Sequence, residues 1–191
     1  MSLSLPLQVR WVSLLTVMSV GGALSACGPV DPKNPRAKYT IQGSASSVMT
    51  LLFDEARIIA TEDDVSVLFV RTRPLGATLL DGGQDESGTS EDYPLKVTYK
   101  LLGTTFPTKG RVDLAELISE SAGPRGVISR NVLNDPKRDF PDVIRGTLFI
   151  DRSIVTNKTV NGDFNVTFAD GTDVASGRTA FASFSAKVVS P

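Results

Sequence analysis

Apolar and polar residues alternate along much of the chain, and this pattern predicts β-strands. The alternation is clearest over residues 95–101 and 164–168. Successive side chains of a strand point to opposite faces, so this spacing is typical of a strand with one buried and one wet face. Residues 65–70 form a continuous apolar run, as expected for a strand covered on both faces. Further strands are predicted around 148–150 and over 180–189.

Turn signals connect the last of these strands. Asn161-Gly162 lies between apolar segments and predicts a type I′ hairpin turn, because both central positions of that turn need positive φ. Asp170-Gly171 predicts the next reversal of the chain. Residues 147–191 are therefore predicted to form a three-stranded antiparallel meander.

Two stretches are ambiguous. Residues 47–60 fit either a helix or two strands that turn near Asp54-Glu55, and the poor helix formers at 58–59 favour strands. Residues 112–119 predict one short helix through their spaced leucine and isoleucine positions. Many short strands and at most one short helix predict an all-β fold, a single antiparallel β-sandwich over residues 39–191.

The amino-terminal pattern differs from the rest. Residues 1–10 carry one side-chain charge, Arg10, and residues 11–24 carry none. A short positive region before a brief apolar run is the layout of a signal peptide. The run is shorter than the roughly 20 residues that a transmembrane helix needs, and no later apolar run is longer. We therefore predict a cleaved signal peptide and a mature chain that does not span a membrane.

The apolar run ends in an aliphatic residue, two small residues and the only cysteine of the chain: Leu24, Ser25, Ala26 and Cys27. This motif resembles the lipobox of bacterial lipoproteins. The resemblance implies that the Cys27 thiol receives a diacylglycerol through a thioether and that residues 1–26 are removed. It also implies acylation of the new amino group by a fatty acid such as palmitate. A thiolate is the strongest side-chain nucleophile, which suits this chemistry.

The residues after Cys27 bear on its location. In the lipoprotein family an aspartate after the cysteine retains some members at the inner membrane. Gly28 stands there instead, which favours the outer membrane. Residues 27–38 contain prolines at every third position, and polyproline II has three residues per turn. The segment is therefore either a semi-rigid tether of about 30 Å or a flexible tail.

Charge and composition exclude several classes of function. The signal segment contains one of the 20 basic residues and none of the 21 acidic ones, which leaves a net side-chain charge of −2. That balance predicts neither binding to nucleic acid nor electrostatic binding of a polybasic segment to lipid headgroups. The chain has no histidine, so Ser-His-Asp catalysis and imidazole metal sites are excluded. With Cys27 lipidated, no thiol remains for a disulfide or a metal site, and no cofactor is predicted.

Charged loops offer weaker candidates. The acidic stretch 81–92 has oxygen ligands of the kind that Ca²⁺ prefers, but its spacing does not match an EF-hand. Residues 170–173 suggest the same chemistry, and both stretches are predicted to be solvated loops with no metal. In 134–145, Arg138 or Arg145 could clamp a carboxylate or phosphate, although a proline-stiffened loop is the favoured interpretation.

The leading hypothesis is a lipid-anchored cell-envelope lipoprotein that acts as a non-enzymatic binding or scaffolding domain. Its edge strands or loop ends would recruit another envelope protein or a glycan. One alternative is a calcium-dependent adhesion module. The other is a glycan hydrolase that uses two facing carboxylates about 5–9 Å apart. The acids considered for it are Asp54, Glu55, Glu62, Asp63 and Asp64.

Overall fold

The computed structural model describes residues 39–72, 91–133 and 135–191. The predicted signal peptide and lipobox, with Leu24, Ser25, Ala26 and Cys27, lie outside the described residues, as does the tether. Residues 81–90 of the acidic stretch also lie outside them.

The described regular structure is a 3₁₀ helix, Ser44–Ser47, and a series of β-strands. The strands are β1 Tyr39–Thr40, β2 Leu52–Phe53, β3 Glu55–Ala60, β4 Asp64–Thr72, β5 Glu91–Lys100, β6 Gly110–Asp113, β7 Leu117–Ser119, β8 Gly123–Pro124, β9 Gly126–Val132, β10 Asp135–Asp139, β11 Val143–Ile150, β12 Thr159–Phe168 and β13 Thr179–Val189.

Nine of these strands form one sheet in the order β10-β9-β5-β4-β3-β13-β12-β11-β6. Neighbours pair in antiparallel fashion except β13 and β3, which are parallel. The predicted all-β, sandwich-like fold is confirmed, and the sheet is mixed rather than purely antiparallel. The parallel pair joins strands far apart in the chain, where no short hairpin imposes an antiparallel direction.

The large sheet curls until its two ends are linked through Leu114, the residue after β6. Its N–H donates to the carbonyl of Gly146 on β11 at 2.9 Å, and its own carbonyl accepts from the N–H of Gly126 on β9 at 2.8 Å. A Cβ at position 126 would lie only 2.6 Å from the Leu114 carbonyl oxygen, so this close approach requires glycine. The curled sheet encloses the apolar core.

Phe69 of β4 lies fully buried at the centre of an aromatic cluster. Its ring centroid is 4.9 Å from that of Phe53, 5.3 Å from Phe164 and 5.8 Å from Phe184. Tilted and edge-to-face pairs at these separations are favourable arrangements of aromatic rings. Strands β2, β4, β12 and β13 therefore share one packed interior.

Most of the local strand predictions are confirmed. Strands β11, β12 and β13 form the antiparallel meander, and the chain reverses over 169–178 as Asp170-Gly171 predicted. Residues 47–60 contain strands β2 and β3, which are separated by Asp54, and no α-helix is described there.

The predicted turn at Asn161-Gly162 is wrong. Gly162 lies inside β12 and pairs with both Ile150 and Phe184. A Cβ there would clash with the main-chain carbonyl oxygen of Phe149 and would lie 2.6 Å from Cζ of Phe184, so the glycine serves close packing rather than a turn. The reversal occurs over 151–158, where Asn157 adopts a φ of 63°.

The predicted helix over 112–119 is also wrong. Val112 belongs to β6 and pairs with Leu148 on β11. The Asp113 side chain then accepts the N–H of Ala115 at 2.8 Å, which turns the chain out of the strand. Leu117, assigned to the buried helix face, is 63% exposed in β7.

The stretch 134–145 is not simply a loop, since β10 occupies Asp135–Asp139 and pairs with β9. Arg138 lies opposite Arg130 in that ladder. Arg145 lies on β11, in the outer groove described below.

Candidate functional site

The sheet contains a gap beside β13, where that strand changes its pairing partner. Phe181 forms an antiparallel bridge with Gln42, with two main-chain hydrogen bonds of 2.9 Å. The parallel pairing with β3 begins only at Ala186 opposite Ala56. Between these points, residues 182–185 have no strand partner on this side among the described residues.

The main chain of Ser183 faces this gap. Hydrogen-bonding groups of a strand alternate between its two sides, so Ser183 points the same way as Phe181 two residues earlier. Phe181 directs both its N–H and its carbonyl toward Gln42. The N–H and carbonyl of Ser183 are therefore available at the floor of the gap.

The gap opens into a cleft of about 420 Å³, which we call the slot. The residues that line the slot are Tyr39, Phe53, Asp54, Glu55, Ala56, Ser183, Phe184 and Ser185. Its apolar members reach the buried aromatic cluster, whereas Glu55 and both serines are exposed on the outer face of the sheet. The slot thus leads from the surface toward the core.

One wall of the slot is aromatic. The Tyr39 ring is 56% exposed, and its centroid lies 5.4 Å from the buried Phe53 ring. Phe53 packs in turn on Phe69 at 4.9 Å, and Phe184 packs on the same Phe69 ring. Because Phe69 is fixed in the core, it holds both buried rings of this wall in place.

Two acidic residues also line the slot. Oδ2 of Asp54 accepts the N–H of Thr72 at 2.6 Å. Oδ1 of the same carboxylate is buried and has no hydrogen-bond partner among the described residues. The neighbouring Glu55 accepts a hydrogen bond from Nε of Arg57 at 2.6 Å. Two carboxylates therefore border the slot, and one of them has hydrogen-bonding capacity that the described protein leaves unused.

Arg57 is held on its far side by Glu91. Two parallel hydrogen bonds of 2.9 and 2.7 Å join the guanidinium to that carboxylate. These bonds raise the pKa of Arg57 and lower the pKa of Glu91 below its ordinary value. Burial, followed by the nearby Glu91 charge, raises the pKa of Tyr93. The guanidinium is thus committed to carboxylates already on the protein.

Two further ion pairs join neighbouring strands, β4 to β5 and β9 to β10. Arg71 donates to Oδ2 of Asp92 at 2.6 Å, and Oδ1 of Asp92 accepts the N–H of Leu133 at 2.9 Å. Arg130 donates to Asp135 at 3.0 Å and to the Thr50 carbonyl at 2.8 Å. Nε of Arg71 is buried and has no hydrogen-bond partner among the described residues, so hydrogen bonds compensate the loss of hydration of the Arg71–Asp92 pair only in part.

Two further depressions lie elsewhere on the described surface. A cleft of about 480 Å³ has Phe106 and Ile154 among its apolar walls, several hydroxyl side chains, and Glu62 as its titratable lining residue. An open outer groove of about 610 Å³ is bordered by Arg111 and Arg145. Arg111 is already engaged by Thr147 at 2.9 Å.

The structure separates the carboxylates considered for glycan hydrolysis. Asp54 and Glu55 border the slot, whereas Glu62 borders the other cleft. Asp64 accepts a hydrogen bond from the Ser66 hydroxyl at 3.3 Å. Asp63 lies in the exposed turn between β3 and β4.

The acidic stretches have structural partners where they are described. Glu91 and Asp92, the last two residues of the stretch 81–92, begin β5 and form the ion pairs above. Asp173 accepts the N–H of Ala175 at 2.8 Å, as in an Asx turn. Across residues 39–72, 91–133 and 135–191, no three acidic, histidine or cysteine side chains are grouped as a metal site would need.

Within the same residues, no helix has the length and apolar character needed to cross a membrane. Comparison with models of known protein families finds no match, and comparisons with curated proteins and with solved structures find none either.

Proposed function

We propose that the protein is a lipoprotein of the bacterial cell envelope, anchored through Cys27, whose β-domain binds a ligand and does not catalyse a reaction. The anchor is supported by the sequence Leu24-Ser25-Ala26-Cys27 after an uncharged run. Two or more acyl chains on one cysteine hold a protein at a membrane, since each buried CH₂ contributes about 0.8 kcal/mol. Gly28 after the cysteine supports the outer membrane.

The observation that carries the binding role is the slot. It is a concave site with aromatic walls and a few polar groups, which is the usual make-up of a ligand site. Tyr39, its most exposed aromatic residue, directly follows the tether 27–38. A ligand in the slot would therefore lie near the point where the tether enters the domain.

A binding role fits the slot carboxylates better than hydrolysis does. A glycosidase needs two carboxyl groups that face each other across the scissile bond. Asp54 and Glu55 are consecutive residues, the one just before β3 and its first, and Glu55 is hydrogen-bonded to Arg57. The slot is therefore arranged for recognition.

Metabolic labelling with palmitate tests the anchor. The wild-type chain and a Ser25→Ala control, which keeps a small residue in the lipobox, should carry label and sediment with the outer membrane. Cys27→Ala should carry none, because the thioether cannot form. Label in Cys27→Ala, or an unlabelled wild-type protein in the soluble fraction, would contradict the proposal.

Release of reducing ends from cell-wall glycan tests the absence of catalysis. The purified protein should release no more than a protein-free blank. A release that Asp54→Asn abolishes and that Glu62→Gln leaves intact would show a hydrolase in the slot instead.

A further inference from the structure

We infer that the slot recognises a compact organic cation, a molecule of monosaccharide size that carries a protonated primary amine or a quaternary ammonium group. The inference deepens the proposed binding role and rests on it. It does not depend on the lipid at Cys27, so the two can fail separately.

The charge balance of the slot is the first support. Asp54 and Glu55 are the charged residues that line the slot, and no basic residue is among its described lining. Beside the slot, Arg57 is shared between Glu55 and Glu91, and Lys187 lies opposite Arg57 on β13, so these five charged residues sum to −1. A site with this balance attracts a cation and disfavours phosphate or carboxylate ligands.

The aromatic wall is the second support. Faces of aromatic rings attract cations within about 6 Å of the ring centre, most strongly where water is displaced. Tyr39, Phe53 and Phe184 line the slot together, and Phe53 and Phe184 are buried. Aromatic rings combined with carboxylates favour an ammonium group over a metal ion, which would need several oxygen ligands without rings.

The acceptor groups at the floor are the third support. The Ser183 carbonyl faces the gap, and Ser183 and Ser185 are among the residues that line the slot. A primary ammonium group has three N–H donors, which carbonyl, hydroxyl and carboxylate oxygens can accept. The buried Oδ1 of Asp54 adds an acceptor without a partner in the described structure.

The size of the slot limits the ligand. Its volume of about 420 Å³ is in the lower part of the range for small-molecule sites, roughly 300–1,000 Å³. This space suits one sugar ring or one lipid headgroup. The same ammonium chemistry thus has two sources, an amino sugar and an amine headgroup.

Isothermal titration calorimetry on the protein as isolated from expressing cells, in nonionic detergent, tests the inference. Glucosamine represents amino sugars, ethanolamine and choline represent headgroups, and glucose is the neutral match for glucosamine. We expect at least one cation to bind with a Kd below about 1 mM and glucose to bind at least tenfold more weakly. Preference for glucosamine assigns the sugar source, and preference for ethanolamine or choline assigns the headgroup source.

Two variants and a control place the cation in the slot. Asp54→Asn keeps an acceptor for the Thr72 N–H and should weaken binding about tenfold. Tyr39→Ala removes an exposed ring without opening the core and should weaken it about fivefold. Glu62→Gln, in the other cleft, should change the Kd less than about twofold.

The inference is overturned if no cation binds, if glucose binds as tightly as glucosamine, or if Glu62→Gln weakens binding as much as Asp54→Asn. Should Asp54→Asn fail to fold, Tyr39→Ala still decides, and an unchanged Kd in that variant counts against the slot. Binding with these variant effects by a protein that carries no lipid would support the ligand while contradicting the anchor.

Discussion

Replacing Phe69 by alanine should destabilise the domain more than almost any other single change, because this ring joins four strands and supports the slot. Phe69 is fully buried and contacts three other rings with centroid distances from 4.9 to 5.8 Å. Truncation removes the ring from an apolar site and leaves a cavity, which costs about 3–5 kcal/mol. The lost ring contacts place this site in the upper half of that range.

Urea unfolding followed by far-UV circular dichroism measures the effect. With an m-value of about 2 kcal/mol per molar urea, a loss of about 4 kcal/mol lowers the midpoint by about 2 M. Since domains are stable by about 5–15 kcal/mol, the variant should remain folded without urea but lie close to its limit. Phe69→Leu fills most of the cavity and should lose about 1–1.5 kcal/mol.

Phe181→Ala is the matched control. That ring lies on the same sheet but is 44% exposed, and its loss should cost less than about 1 kcal/mol. Equal losses at positions 69 and 181, or a loss below about 1.5 kcal/mol for Phe69→Ala, would refute the assignment of the core.

Three further outcomes follow from the structure. Asp92→Ala leaves Arg71 buried without its carboxylate and should lower the free energy of unfolding by about 3–5 kcal/mol in urea titrations. Gly162→Ala forces a Cβ against the Phe149 carbonyl oxygen and the Phe184 ring and should lose about 1–3 kcal/mol in the same assay. The hydrogen bonds from Arg57 lower the pKa of Glu91. This pair therefore stabilises the fold at pH values above the ordinary pKa of 4.5, and the stabilisation is lost as the pH falls through the lowered pKa. Glu91→Gln should therefore lose stability near neutral pH and match the wild type in strong acid, as thermal unfolding over pH would report.

Each of these outcomes has a clear contrary result. A change within about 0.5 kcal/mol for Asp92→Ala would mean that the pair is not buried in solution. A neutral or stabilising Gly162→Ala would mean that the residue lies outside the strand. A Glu91→Gln deficit that grows toward low pH would have the wrong sign for a carboxylate whose pKa is lowered.

The strands were predictable from sequence where one face is exposed to solvent and the other is buried. Residues 95–101 and 164–168 alternate without interruption, and residues 95–100 and 164–168 lie in strands with alternating burial. The continuous apolar run at 65–70 also became a strand with most of its side chains buried. The hydrophobic pattern of a segment predicts which of its side chains are buried if it forms a strand, and the burial in these strands follows that pattern.

Two local signals were misread because packing outweighed them. Asn-Gly is a strong turn signal, but Gly162 is needed because the Phe149 carbonyl oxygen and the Phe184 ring leave no room for a Cβ. Leu114 and Leu117 have helical spacing, yet Leu114 bridges the ends of the sheet and Leu117 is exposed. Neither of these tertiary contacts can be inferred from the residues that are adjacent in sequence.

The slot could not be predicted from sequence either. It exists because β13 leaves Gln42 and joins β3 only at Ala186, which is a matter of long-range register. The local sequence gives one partial indication of the slot: Phe181 and Phe184 are three residues apart, so they lie on opposite faces of one strand. The sequence identifies Asp54 and Glu55 as candidate carboxylates, but the aromatic residues beside them in the slot come in part from distant positions in the chain.

The lipid anchor at Cys27 is tested by the intact mass and the amino-terminal peptide of the protein isolated from bacterial membranes. We predict a chain that begins at Cys27, with residues 1–26 absent and with the mass of a diacylglycerol, with or without an added fatty acid, on that cysteine. A chain that keeps residues 1–26, or one that begins elsewhere with no lipid mass, would contradict it.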